Sequence, residues 1–198
     1  MSDEQLAESA KHGDETAFKQ LMDRYMNAIY GFAFQYARNE EDAKDITQDA
    51  FFKIWKYIRR FKEGKQFKPW LYAIARNTAL DHLKKKKAFV FSDLDNEETD
   101  TAFADTLEDT EPLPQAVFEH AETAKLLEKA LEIVHPDHRA VLVMHYREEM
   151  TFEEIAAVLS KPMNTVKSWH RRALLRVRPL LIQKLSDGSD DLHQKKAS

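Results

Sequence analysis

Residues 151–178, TFEEIAAVLSKPMNTVKSWHRRALLRVR, constrain the fold more than any other stretch. They predict two short helices joined by a tight turn, the second one basic. Thr151 and Glu154 have capping-box spacing, which marks a helix start. Ile155, Ala156 and Leu159 give that helix one apolar face. Pro162 has no N–H and resists continuing a helix, so residues 160–163 are expected to turn. Asn164 is the expected N-cap of the second helix. Val166, Ala173 and Val177 fall on one stripe, while Lys167, Arg171, Arg172, Arg176 and Arg178 project elsewhere. Residues 164–178 contain no Asp or Glu. A short second helix carrying only positive charge, wedged against a first helix, fits a DNA major groove. The same pattern also fits a solvated surface helix, or one that meets an acidic partner. The turn has no glycine, and His170 sits on the buried stripe, where a packed, half-buried ring is expected.

The remainder reads as helix and linker, with no strand alternation and no internal repeat. Residues 15–38 carry Phe18, Leu21, Met22, Tyr25, Ile29 and Phe32 at helical steps. Residues 42–58 put Ala43, Ile46, Ala50, Ile54 and Tyr57 on one line, with Asp42, Asp45, Gln48, Asp49 and Lys53 on the other side. By periodicity alone that second face is an ordinary wet one. Residues 59–69 break the pattern and predict a loop, and residues 70–86 predict a third helix. Residues 116–134 and 137–147 predict two more, and a polar tail follows from Ser186. The fold class expected is all-α. Two small helical domains, residues 10–87 and 116–185, are joined by a flexible acidic linker at 88–115, the second containing the helix-turn-helix.

Charge separates these parts. The whole chain of 198 residues has a net charge of −4, but residues 10–87 carry 17 Lys/Arg against 10 Asp/Glu. Residues 88–115 carry 9 Asp/Glu and no Lys or Arg, and residues 116–185 carry 11 Lys/Arg against 9 Asp/Glu. Two basic blocks thus flank an acidic tether, which is the distribution a nucleic-acid-binding chain needs. The acidic segment reads as a solvated tether, or as a mimic of nucleic acid lying in a basic channel. Basic residues interleave with Phe61, Phe67, Trp70 and Tyr72. Cations that track phosphates beside rings that stack on bases suit single-stranded nucleic acid, unless the rings are core. The absence of cysteine excludes disulfides, thiol catalysis and Cys-ligated zinc. The polar, acidic N-terminus is no signal peptide, and no run is apolar enough to span a membrane, so a cytoplasmic protein is expected.

Several motifs in order now carry a resemblance: DAKDITQDAFFKIW, the basic loop, WLYAIARN, the acidic linker, then HPDHRAVLVMHYREEMTFEEIAAVLSKPMNTVKS. Over residues 15–182 the chain resembles a bacterial extracytoplasmic-function sigma factor, the two-domain branch of the sigma-70 family. The resemblance implies core RNA polymerase and promoter DNA, duplex and melted, as partners. It makes an anti-sigma factor a further candidate partner, and it implies no enzymatic activity, cofactor or metal. It implies that residues 42–55 dock on the largest polymerase subunit, with Asp42, Asp45, Gln48, Asp49, Phe52 and Lys53 as contacts. The loop and the helix after it would open the minus-ten element, flipping one base of the non-template strand into a pocket in the loop. The residues so implied are Arg59, Arg60, Phe61, Lys62, Lys65, Lys68, Trp70, Arg76, Asn77 and Lys84. For the minus-thirty-five element they are Asn164, Thr165, Lys167, Ser168, Arg171, Arg172 and Arg176. Trp169, His170 and Arg171 depart from the more usual Arg, Leu and His.

Two other classes compete. A conventional helix-turn-helix regulator with an N-terminal partner-binding domain leaves the basic aromatic loop unexplained. A helical di-iron enzyme needs two Glu-x-x-His motifs, and only Glu132 with His135 has that spacing.

Overall fold

The structure, a computed structural model, describes residues 1–89, 130–131 and 133–194. Seven α-helices and no strand occur among them. In chain order they are α1 (Asp3–Lys11), α2 (Glu15–Ala37), α3 (Glu40–Tyr57), α4 (Phe67–Phe89), α5 (Pro136–Leu142), α6 (Phe152–Leu159) and α7 (Met163–Gln194). The described residues fall into two compact units, residues 1–89 with 153–161, and residues 130–131, 133–152 and 162–194. The predicted acidic linker, and the predicted helix at 116–134 except for residues 130, 131, 133 and 134, lie largely outside the described residues.

In the first unit, α2, α3 and α4 pack on one another and α1 closes one side. The periodic residues of α2 do what their spacing demands: Phe18, Leu21, Tyr25, Ile29 and Phe32 are buried, and Met22 is half-buried. Ala43, Ile46, Ala50 and Ile54 of α3 meet the same core, joined by Phe51. Each fully buried large side chain contributes about 1.5–3 kcal/mol of transfer free energy. Arg38 ends α2 in the left-handed conformation (φ 60°), and the Asn39 side chain then caps α3 by accepting from the Asp42 N–H at 2.8 Å.

The first unit begins earlier than the boundary at residue 10 expected from the sequence. Residues 3–11 form a helix whose Leu6, Ala7 and Ala10 are at most 2% exposed. Its start is set by a capping box between Ser2 and Gln5. The third predicted helix is likewise longer than 70–86, because Pro69 sits in the first turn of α4, where its missing N–H costs nothing.

In the second unit, α5 packs on α7, and residues 143–147 between α5 and α6 wind as one wide π-helical turn. Ala130, Leu131, Val134, Leu142, Ala173, Leu174 and Val177 form its core. The helix carrying the basic residues is continuous to Gln194, through Pro179, so the backbone expected as a polar tail from Ser186 is helical.

Candidate docking and nucleic-acid interfaces

The acid-bearing face of α3 divides in two. Asp45, Gln48, Asp49 and Phe52 are exposed and within about two turns of one another, so they form one row. Lys53 is half-buried and its ammonium lies 3.3 Å from Asp81 of α4. Asp42 is not part of the row. It is 8% exposed, and its carboxylate accepts from Lys86 Nζ at 2.5 Å, Asn39 Nδ2 at 2.6 Å and His82 Nε2–H at 3.1 Å. The Lys86 contact, then that of Asn39, hold this carboxyl well below the usual carboxylate range. A group so placed ties the start of α3 to the end of α4 and has little left to offer a partner. Asp42 thus stands apart from the exposed row with which the sequence grouped it.

Beside the row, α2 and α3 leave an open apolar groove of about 530 Å³. Met22, Met26, Tyr30, Phe52 and Trp55 line it, with Phe52 65% and Trp55 39% exposed. Trp55 rests on the Phe18 ring at 4.7 Å between centroids. Exposed aromatic and methionine side chains are the composition of a protein–protein contact core.

The basic loop and α4 bring a second set together. Arg59, Arg60, Lys62, Lys65, Asn77 and Lys84 are exposed, while Lys68, Trp70 and Arg76 are half-buried. Gly64 takes φ +74°, which a turn needs and other residues resist, and the Lys65 N–H closes that turn on the Lys62 carbonyl at 3.2 Å. Phe61, Phe67 and Tyr72 are buried, at 4%, 0% and 0% exposed, so they are core and not stacking platforms for bases. The broken periodicity at 59–69 hid this: Phe61 and Phe67 meet edge-on at 5.7 Å and both meet Trp70, at 5.3 and 5.7 Å. Among these rings, Trp70 is the one partly open to solvent.

The third set lies on α7. Asn164, Lys167 and Arg176 are exposed, and Thr165, Ser168, Arg171 and Arg172 are half-buried. Met163 already begins the helix, so Asn164 sits inside the first turn and is not the cap. The turn before it manages without glycine. Ser160 itself adopts φ 52°, while Lys161 N–H bonds to the Ala156 carbonyl at 3.1 Å and Ser160 N–H to that of Ala157 at 3.4 Å. That pair of bonds is a Schellman motif. Val166, Ala173 and Val177 are fully buried, as their stripe requires, and Trp169 joins them at 8% exposed. His170 is a half-buried ring stacked on Tyr146 at 5.6 Å and edge-on to Phe152 and His145. Burial, and then the neighbouring His145, push its pKa down to about 4. His145 donates from Nδ1 to the Met150 carbonyl at 3.0 Å. Arg176 donates to the Ile133 carbonyl at 3.2 Å.

The sequence reading missed the groove residues of α2, helix α1, and the His145–His170 pair. The groove had a signal, since Met22, Met26 and Tyr30 alternate with core residues at helical spacing, and so had α1, in the capping-box spacing of Ser2 and Gln5. Among the described residues no group of three or more His, Asp or Glu is placed to hold a metal ion, and no helix is long and apolar enough to cross a membrane.

A helical chain with a basic helix behind a tight turn and a second basic, loop-bearing surface has the make-up of a DNA-binding protein. Residues 21–89 match the family Sigma-70 region 2, and residues 119–177 match Sigma-70, region 4. The chain is 30% identical over 160 residues to the ECF RNA polymerase sigma factor SigW of Bacillus subtilis, covering 80% of this chain and 85% of that one. It is also 30% identical over 168 residues to the RNA polymerase sigma-H factor of Pseudomonas aeruginosa, covering 84% and 86%. Among solved structures it is similar to the sigma factor RpoE of Bartonella quintana in complex with the anti-sigma factor NepR, with a TM-score of 0.64 and 26% identity, covering 83% and 96%. CnrH in complex with the cytosolic domain of CnrY gives a TM-score of 0.62 at 26% identity, covering 91% and 97%. The chain belongs to the ECF sigma factors of the sigma-70 family. It binds core RNA polymerase and directs promoter recognition and transcription initiation.

Proposed function

We propose that the three surfaces divide the work of initiation among them. The α3 row Asp45, Gln48, Asp49 and Phe52, with the groove beside it, docks on core polymerase. The loop at 59–66 and the outer face of α4 capture the melted non-template strand through Arg59, Arg60, Lys62, Lys65, Lys68, Trp70, Arg76, Asn77 and Lys84. Residues Asn164, Thr165, Lys167, Ser168, Arg171, Arg172 and Arg176 of α7 meet the minus-thirty-five element. The domains are residues 10–87, now with α1 before them, and 116–185, with 88–115 as tether.

The observation that carries the docking assignment is the exposed acidic and aromatic row on α3. A 65% exposed Phe is poorly suited to water, and with three polar groups beside it, two of them acids, the row suits a basic and apolar partner surface. Melting on this reading needs no nucleotide hydrolysis. Unstacking a base costs a few kcal/mol, offset by capture of that base and by phosphate contacts. The protein is a detachable specificity subunit, not an enzyme, and works in the cytoplasm. An anti-sigma factor is a further partner, supported by the two similar structures, each solved as a complex.

Titration of labelled core polymerase tests the docking face. Asp49→Lys reverses one charge at an exposed position, so core affinity is expected to fall with folding intact. Unchanged affinity removes α3 from the interface.

A further inference from the structure

We propose that Glu4 is a positioning residue for promoter melting: from α1 it caps α4 and so fixes the basic loop. The inference rests on the reading that this loop and α4 handle the melted strand. Helix α1 lies outside the Sigma-70 region 2 match, which begins at residue 21.

The need for such a cap is visible in the sequence. The first N–H groups of any helix lack intrahelical partners. Ser, Thr, Asp or Asn just before the helix normally supplies one. Residues 61–66, FKEGKQ, contain none of these. The acceptor comes instead from the other end of the unit: Glu4 Oε1 accepts from the Phe67 N–H at 3.2 Å, across 63 positions of chain. A carboxylate there also meets the positive end of the helix dipole.

Glu4 is itself held in place. The Ser2–Gln5 capping box sets the start of α1 and so puts Asp3 and Glu4 in its first turn. Asp3 accepts from Arg24 Nη1 at 2.5 Å and from the Tyr25 hydroxyl, which anchors α1 to α2. The Tyr25 ring in turn meets the Phe67 ring at 6.0 Å. Two adjacent acids of α1 therefore converge on Phe67, one through its backbone and one through its ring neighbour.

Phe67 is where the loop ends. Its ring meets Phe61, where the loop begins, so residues 62–66 leave and return at one buried aromatic pair. All five are exposed. Lys62 and Lys65 thus stand on a short loop with both ends fixed. A fixed loop loses less conformational freedom on binding, and that saving counts most when the same contacts must offset base unstacking. Without the cap the first turn of α4, which carries Lys68 and leads into Trp70, frays and the loop loses one of its ends.

The test uses full-length chain with core polymerase, on a duplex promoter and on the same promoter pre-melted at the minus-ten element. Glu4→Ala removes the acceptor; Glu4→Gln keeps an oxygen at the same reach; Lys65→Ala alters the loop itself. Glu4→Ala is expected to slow open-complex formation on duplex by about three- to tenfold, the worth of one ordinary, partly exposed hydrogen bond. The pre-melted template should be less affected and core affinity unchanged. Glu4→Gln should restore most of the rate. Faster amide exchange at residues 66–70 in Glu4→Ala should accompany the slowing. If Lys65→Ala slows melting and Glu4→Ala does not, the brace is refuted while the melting role of the loop stands. If neither variant has an effect, the melting reading itself fails. Equal loss on both templates, or a Glu4→Gln variant as slow as Glu4→Ala, makes Glu4 a stability residue and overturns the proposal.

Discussion

Asp42 separates two accounts of one residue: a polymerase contact, as the family resemblance implied, or a latch between α3 and α4. Asp42→Ala removes three contacts, to Lys86, Asn39 and His82. Each is partly exposed, so each is worth roughly 0.5–1 kcal/mol. Alanine's better helix propensity returns about 0.5 kcal/mol. The net loss is about 1–2.5 kcal/mol, which lowers Tm by about 10 °C in a unit of this size. Thermal unfolding followed by Trp55 and Trp70, both in the first unit, reads this loss. Because the Asp42 carboxyl is held below its usual range, its stabilisation is present above the unfolded value of about 4 and is lost as pH falls below it. The wild-type advantage over Asp42→Ala should shrink in acid. Core affinity, measured on folded protein, should change little. Unchanged stability with a large loss of core affinity would refute the latch and restore Asp42 to the interface.

The remaining expectations concern the other surfaces. His170 titrates near 4 in the folded chain, against about 6.5 unfolded, so the folded state favours the neutral ring. Its contribution is complete above pH 6.5 and is lost as pH falls towards 4, by about 1–2 kcal/mol after allowance for its partial exposure; His170→Leu should flatten that part of the stability profile, and an unchanged profile refutes the assignment. Trp70→Ala and Asn77→Ala should reduce open-complex formation on duplex promoters more than on pre-melted ones, and equal defects on both remove the melting role. Arg171→Ala should cost about 1–3 kcal/mol on the preferred minus-thirty-five element and relax base choice there. Arg176→Ala should weaken all sequences alike and lower the salt slope by roughly one unit. Uniform loss in Arg171→Ala would make that residue a phosphate clamp.

What the sequence disclosed follows from where each signal lies. Helices α2, α3 and α4 were legible because Phe18 to Phe32, Ala43 to Ile54 and Leu71 to Thr78 repeat at helical spacing on one face. Helix α7 was legible through Val166, Ala173 and Val177, and His170 proved the packed ring its position implied. Helix α1 was not legible, because Leu6, Ala7 and Ala10 are only three apolar positions in a polar, acidic stretch. Its capping-box spacing, Ser2 to Gln5, was the signal available. Phe61 and Phe67 read equally well as stacking rings or core, since the loop has no period to decide between them. Asp42 shares its sequence pattern with Asp45 and Asp49. What sets it apart, Lys86 and His82, lies 40 and more positions away, where no local pattern reaches.

Dependence on core polymerase is the defining behaviour of a sigma factor. Promoter binding and runoff transcription would be measured with the chain alone, core polymerase alone, and both together, on a promoter library. A sigma factor predicts tight, promoter-specific binding and transcripts only when both are present. Tight, specific binding of duplex promoter by the chain alone, with no transcripts gained on adding core, would contradict the account and indicate a conventional helix-turn-helix regulator.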